Sequence, residues 1–284
     1  MENAIHGFFL LMGLVTVGCV LLISVYLVVS GIPAIREIGL VKFLFGPLWN
    51  SNAAEPQFGI LPFILTSIYG TAGAILLGVP VGYMTAVFLA KMAPPKLKTA
   101  VSAAVSLLAG IPSVVYGLVG MLVLVPGIRQ VFHIPDGSGL LAAIIVLAIM
   151  ILPTVINISE TSIRAVPAGI KSSSLALGAS HVQTIFRSIL PAAKSGIVTA
   201  IVLGVGRAIG EAMAITLVSG SSVNVPLPFN SVRFLTTAIV SEMGYSSGLH
   251  RQVLFSIGLV LFVFIMIINV VLNKILKKGA DDNE

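Results

Sequence analysis

The sequence predicts an all-α, polytopic membrane protein with six transmembrane helices. Hydrophobic residues make up 57% of the 284 residues and charged residues only 9%, whereas soluble domains carry about 25% charged residues. The mean hydropathy is +1.09. Six apolar windows approach or exceed the roughly 20 residues that a helix needs to cross a bilayer. They are residues 7–30, 60–90, 100–125, 139–159, 195–219 and 253–272.

Residues 7–30 lack a basic segment before the apolar run and a small-residue cleavage site after it, so we interpret them as a retained helix rather than a cleaved signal. The second window is long for one span. Pro62 is placed near its start, and Pro80, between Gly78 and Gly82, is expected to kink the helix.

Lysine and arginine are distributed unequally between the two sides of the predicted membrane. Ten of them follow the second, fourth and last windows, and five fall on the other side. Because cytoplasmic loops are enriched in these residues, both termini are predicted to be cytoplasmic. The net charge of +6 is therefore interpreted as a topology signal. Nucleic acid is not an expected partner, since the basic residues are not grouped with aromatic ones.

One arginine and one glutamate, Arg207 and Glu211, stand inside the fifth apolar window. An ionised side chain at the centre of a spanning helix costs roughly 2.5 to 3.5 kcal/mol. Four positions along a helix rotate by about 40°, so both charges are expected on one face and within pairing reach. They are predicted either to line a polar path or to form a structural ion pair. Small residues at fourfold spacing predict close packing against a neighbouring helix: Gly196, Ala200, Gly204, Ala208 and Ala212.

Residues 160–194, after the fourth window, predict two short amphipathic helices on the cytoplasmic side. Gly178 is placed to end the first helix in a left-handed turn. Ser180 and Gln183 form a capping-box pattern at the start of the second helix, which Pro191 is expected to close. Such a pair is either a docking element or an interfacial pair that rests on the membrane.

This loop resembles the EAA loop of ABC importer permeases, whose short helices insert into a cleft of the ATP-binding subunit. Three serines occupy the Glu-Ala-Ala positions of that motif, so the glutamate is absent here, whereas the glycine and the Leu-Pro pair are kept. The resemblance implies a cytoplasmic two-helix coupling loop. Its implied ATPase-coupling residues are Ser172, Ser173, Ser174, Gly178, Ala179, Leu190 and Pro191.

Three further segments extend the resemblance to phosphate transporter permeases of the PstC type: Phe58–Phe63, Gly110–Gly117 and Gly206–Ala214. The similarity runs from about Phe43 to the end of the last window. It implies a single transmembrane permease domain over residues 1–284, located in the prokaryotic cytoplasmic membrane and surrounded by lipid. It also implies four partner chains of three kinds in one complex. These are a related second permease of the PstA type, two ATP-binding subunits and an extracytoplasmic phosphate-binding protein.

The chain itself is expected to be non-catalytic. It contains no G-x-x-x-x-G-K-[ST] phosphate loop and no short catalytic signature, so ATP and Mg are expected on the partner ATPase and no cofactor on this chain. One cysteine, Cys19, and four scattered histidines argue against a metal site.

Two functional hypotheses remain open from the sequence. In the first, the chain is the permease subunit of an ATP-driven importer that moves inorganic phosphate into the cytoplasm. Arg207 then contacts the oxyanion, because a guanidinium stays charged and offers bidentate donors, and Glu211 holds Arg207 when the path is empty. In the second, the chain is an ATP-independent secondary ion or oxyanion carrier, in which both residues belong to an ion relay.

Overall fold

The computed structural model describes residues 2–51 and 53–281, and their regular structure is helical apart from one two-stranded hairpin. Two compact units are present, residues 1–61 with 238–263 and residues 62–237 with 264–284. The single permease domain inferred from the sequence stays a prediction. The elements in chain order are α1 (Glu2–Ile38), α2 (Leu40–Phe45), β1 (Trp49–Asn50), β2 (Gln57–Phe58), α3 (Leu61–Lys91), α4 (Pro95–Gly110), α5 (Ser113–Phe132), α6 (Leu140–Ala165), α7 (Ala168–Ala176), α8 (His181–Ala192), α9 (Lys194–Gly210), α10 (Met213–Val218), α11 (Leu235–Glu242) and α12 (Gly248–Asp281).

The helices confirm the all-α polytopic fold. Within the described ranges, five helices are long and apolar enough to cross a membrane, namely α1, α3, α5, α6 and α12. A sixth span is present if α8 and α9, which are bent by 68° at their junction, count as one. Two of these elements contain a π-helical turn, at Gly120–Leu124 in α5 and at Ile185–Ile189 in α8.

The first unit is held together by one close helix contact and one polar cluster. Gly31 of α1 packs on the backbone of α12, where the Ser256 hydroxyl donates to the Gly31 carbonyl at 2.6 Å. The buried Glu242 carboxylate accepts from the Trp49 indole at 3.2 Å and pairs with His250 at 2.7 Å. Most apolar side chains in the first part of α1 are exposed, as expected for a helix that faces lipid, whereas Ala34 near its end is fully buried.

The second unit is built around α6, whose apolar window is 56% buried, compared with 33% for α3 and 22% for α5. Glycines let two neighbouring helices approach it closely. A Cβ on Gly82 of α3 or on Gly204 of α9 would lie 3.0 or 3.1 Å from Val155 of α6. The predicted small-residue contact of the fifth window is therefore confirmed over its first four positions, Gly196, Ala200, Gly204 and Ala208, which lie against α6 or are buried.

The third window was predicted with wrong boundaries. The helix α4 ends at Gly110, and Ile111 and Pro112 are extended, with ψ of 128° and 141°. Proline disfavours the helical conformation of the residue before it and cannot donate the amide that would continue the helix. The helix long enough to span is therefore α5, which begins only after this break.

The fifth window is not one continuous helix, which corrects a second prediction. Helix α9 ends at Gly210, Glu211 is extended with φ −73° and ψ 129°, and α10 starts at Met213. Ala212 lies in this break, with φ −122° and ψ −52°, so the stripe of small residues does not continue to it on the same helix.

Candidate substrate path and coupling loop

Arg207 is a half-buried cation in the last turn of α9. Within residues 2–51 and 53–281 it forms neither a hydrogen bond nor an ion pair. Its charge interacts electrostatically with the phenol of Tyr116 on α5. Because a guanidinium does not deprotonate in proteins, an apolar segment here carries a positive charge that no acidic side chain of the described chain neutralises.

The predicted pairing of Arg207 with Glu211 is wrong. The Glu211 carboxylate instead accepts from the Ala214 amide at 3.0 Å and so caps α10. The Glu211 carbonyl, left without a helical partner by the break, accepts from the Thr236 hydroxyl at 2.8 Å. Since the helix ends between the two charged residues, their fourfold spacing does not place them on one face. Their assignment to a substrate path stays a prediction.

The break in the third window lies beside the break in the fifth. The Tyr116 hydroxyl donates to the Leu108 carbonyl at 2.7 Å, which ties α5 to the end of α4 across Pro112. A Cβ on Gly117 would lie 2.7 Å from the Ala214 backbone, so α5 packs closely against the start of α10. The segment Gly110–Gly117 therefore connects the end of α4 to the start of α5, and it packs against the start of α10.

Hydroxyl side chains around the start of α11 were missed by the sequence analysis. Ser67 of α3 accepts from the Leu235 amide at 3.0 Å, and Thr236 bonds to the α9–α10 break as described above. The Thr66 hydroxyl is fully buried and has no partner in the described part of the chain. The signal available in the sequence was the occurrence of adjacent hydroxyl residues, Thr66-Ser67 and Thr236-Thr237, in otherwise apolar surroundings.

The two-helix loop has the predicted local structure. Gly178 ends α7 with φ +84°, a conformation that glycine adopts without steric cost. The Ser180 hydroxyl accepts from the Gln183 amide at 3.2 Å, while the Gln183 side chain accepts from the Ser180 amide at 2.9 Å, which confirms the capping box. The expectation that Pro191 closes the second helix is wrong by a residue, because α8 continues to Ala192 and bends at Ala193.

The three serines at the Glu-Ala-Ala positions have different surroundings. The Ser174 hydroxyl lies 3.1 Å from the Thr184 hydroxyl and accepts from Ser188 at 3.2 Å, so it joins α7 to α8. The Ser172 hydroxyl bonds back to the Ala168 carbonyl of its own helix at 3.2 Å. Ser173 is exposed and lines the cleft between the two helices.

The remaining residues of the predicted coupling loop lie either at its tip or at its base. Leu177, next to Gly178 and Ala179 at the tip, is 89% exposed. Leu190 is instead buried in a cluster with α6 and α9 residues, and Pro191 beside it is exposed. The loop therefore presents an apolar tip from a base that is fixed in the hydrophobic core.

Residues 78–280 of the chain match the protein family described as "Binding-protein-dependent transport system inner membrane component". The "Probable ABC transporter permease protein YqgH" of Bacillus subtilis (strain 168) is 38% identical over 264 residues, which cover 90% of this chain and 85% of that protein. The "Phosphate transport system permease protein PstC" of Haemophilus influenzae is 34% identical over 263 residues, which cover 85% of this chain and 82% of that protein.

Two solved structures share the fold. A chain of the MetNI methionine ABC transporter in an inward-facing conformation aligns with a TM-score of 0.61 at 20% identity, covering 78% of this chain and 97% of that chain. A chain of an amino acid ABC transporter aligns with a TM-score of 0.56 at 22% identity, covering 77% and 92%. The sequence relatives and the helical architecture agree with each other, and this multi-pass chain belongs to the family of binding-protein-dependent transport system inner membrane components.

Proposed function

We propose that this chain is the permease subunit of an ATP-driven importer that moves inorganic phosphate into the cytoplasm. Relatives named as phosphate transport permeases, 33–34% identical over most of the chain, support the choice of substrate. The observation that carries the proposal is the half-buried Arg207 guanidinium, which has no acidic partner within the described residues.

An unpaired arginine is chemically suited to such a substrate. Phosphate must lose part of its hydration shell on the way across, and the planar guanidinium offers two parallel donors to an oxyanion. A neighbouring carboxylate would compete for these donors and repel the anion. Glu211 does not occupy the Arg207 donors, because its carboxylate accepts from the Ala214 amide instead.

The loop between α6 and α9 is the proposed contact with an ATP-binding subunit. Its exposed Leu177 lies at the end of a rigid support in which Ser174 and the Ser180–Gln183 capping box hold α7 and α8 together. ATP and Mg belong to that partner in this proposal. The full complex contains two such subunits, a second permease of the PstA type and an extracytoplasmic phosphate-binding protein. Both termini of this chain are cytoplasmic in the proposal.

The ATP-independent carrier is the weaker hypothesis. It assigned Arg207 and Glu211, as a pair, to an ion relay, whereas the two form no ion pair among the described residues and the Glu211 carboxylate accepts from the Ala214 amide. A family of binding-protein-dependent permeases also favours a multi-subunit importer.

Uptake of radiolabelled phosphate by the assembled complex tests the proposal. Hydrogen bonds to a charged group are worth about 1.5 to 3 kcal/mol, so Arg207→Gln is expected to lower uptake about 10- to 150-fold while all subunits still co-purify. Arg129→Gln changes an exposed arginine in the last turn of α5 and is the matched control, expected to retain uptake. Normal uptake by Arg207→Gln would reduce the residue to a structural role.

A further inference from the structure

An apolar groove of about 600 Å³ opens on the second unit between α3 and the bend that joins α8 to α9. It exists because Gly82 of α3 and Gly204 of α9 both pack on Val155 of α6, so the two helices run side by side along α6 and leave a furrow between them. Its walls include Val79, Pro80 and Met84 on one side and Leu190, Ile197 and Ile201 on the other.

One charged residue lines this groove in the described part of the chain. Lys194 is the first residue of α9 and is exposed. Among the described residues it has no ion-pair or hydrogen-bond partner. The half-buried Tyr83 also lines the groove, and no group of the described chain bonds its hydroxyl. The groove therefore combines an apolar slot, an available cation and an available donor.

We propose that this groove binds a phospholipid with an anionic headgroup. One acyl chain lies between α3 and α9, the lipid phosphate contacts the Lys194 ammonium, and the Tyr83 hydroxyl donates to the oxygens of the glycerol esters. From Lys194 to Ile201 the α9 wall covers about 10 Å of helix axis, so the apolar slot runs from the start of the span towards the bilayer interior.

Charge complementarity selects a lipid over a second protein helix as the occupant. Lys194 begins an apolar helix, and the boundary of a spanning segment is the level at which lipid phosphates lie. A partner helix in the same place would have to supply its own acidic residue at that level. The acyl chain alone provides little preference, because it is already in an apolar environment in the bilayer. The headgroup therefore decides which lipid is bound.

Native mass spectrometry of the purified complex, titrated with phosphatidylglycerol or phosphatidylcholine, tests the site. One basic residue near a membrane surface strengthens anionic-lipid binding about fivefold. Lys194→Gln is therefore expected to weaken phosphatidylglycerol binding about fivefold. It should weaken phosphatidylcholine binding less, because the choline ammonium already offsets the phosphate charge, while Lys194→Arg keeps the preference. Lys96→Gln, which changes an exposed lysine outside the groove, is the matched control. Equal binding of phosphatidylglycerol by the wild type and Lys194→Gln would overturn the proposal.

A second measurement identifies the occupant directly. Replacing Cys19 by serine and Val198, in the groove wall, by cysteine gives one attachment point for a benzophenone probe. Photolysis in native membranes is expected to give a lipid adduct. An adduct with another subunit would show that a partner helix fills the groove and would exclude the lipid site. Ile201→Trp fills the slot and is expected to lower the yield of the lipid adduct.

Discussion

Replacing Gly178 by alanine tests whether docking depends on the backbone conformation of the loop tip rather than on the size of the side chain there. Gly178 has φ +84°, and a Cβ built on it meets no atom within 4 Å. The cost of the substitution is therefore conformational rather than steric, about 1–2 kcal/mol for an L residue in the left-handed region. If docking of an ATP-binding subunit requires this turn, the same free energy is lost from docking. The affinity is then expected to fall about 5- to 30-fold.

Titration of the purified ATP-binding subunit against the permease complex measures this change. Gly178→Asn is expected to lose less affinity than Gly178→Ala, because asparagine tolerates the left-handed region better. Gly169→Ala is the matched control, since Gly169 lies in α7 with ordinary helical φ and open space around its Cα. Alanine is favoured over glycine in a helix, so docking should be unchanged or slightly tighter. If Gly178→Ala bound the ATP-binding subunit with wild-type affinity, the reasoning would be refuted. An equal loss of affinity in Gly178→Ala and Gly169→Ala would mean that the added methyl group, and not the left-handed turn, causes the loss.

Two further predictions concern the α9–α10 break and the loop before α6. Thr236→Val removes the hydroxyl that donates to the Glu211 carbonyl. Because the unsatisfied acceptor costs about 1–3 kcal/mol, the thermal midpoint of the Thr236→Val protein should lie below that of the Thr236→Ser protein. Equal midpoints would contradict this prediction. Hydrogen bonds from the Ser138 hydroxyl and amide lower the pKa of Asp136; the resulting stabilisation is complete above about pH 4 and is lost as the pH falls through the lowered pKa. Ser138→Ala should raise the pKa of Asp136, measured by carboxyl ¹³C NMR; an unchanged pKa would disprove the assignment.

Local signals in the sequence were sufficient for the two-helix loop. The left-handed turn at Gly178 and the Ser180–Gln183 capping box depend on residues at most three positions apart, and both form as predicted. The apolar windows likewise predicted the spanning helices α1, α3, α6 and α12, because length and hydropathy do not depend on tertiary contacts.

The interruptions inside two windows could not be predicted in this way. The α9–α10 break depends on Thr236, which is 25 positions from the carbonyl that it stabilises, and on the Glu211 carboxylate turning to the Ala214 amide. A four-residue spacing describes the surface of an intact helix only. Hydropathy also contains no information on whether an internal proline is accommodated within a helix, as Pro80 is in α3, or ends it, as at Pro112.

The missing counter-charge at Arg207 has a consequence for ion leakage. A bacterial membrane potential, negative inside, drives a monovalent cation inward with about 2.3 kcal/mol per 100 mV. If Arg207 lines the proposed phosphate path, its fixed positive charge, which no carboxylate of the described chain neutralises, repels sodium ions and hydronium from that path. The potential opposes entry of a dianion by about twice that energy, so an importer that carried phosphate along such a path would exclude cations from it and would need a separate source of energy to load its cargo.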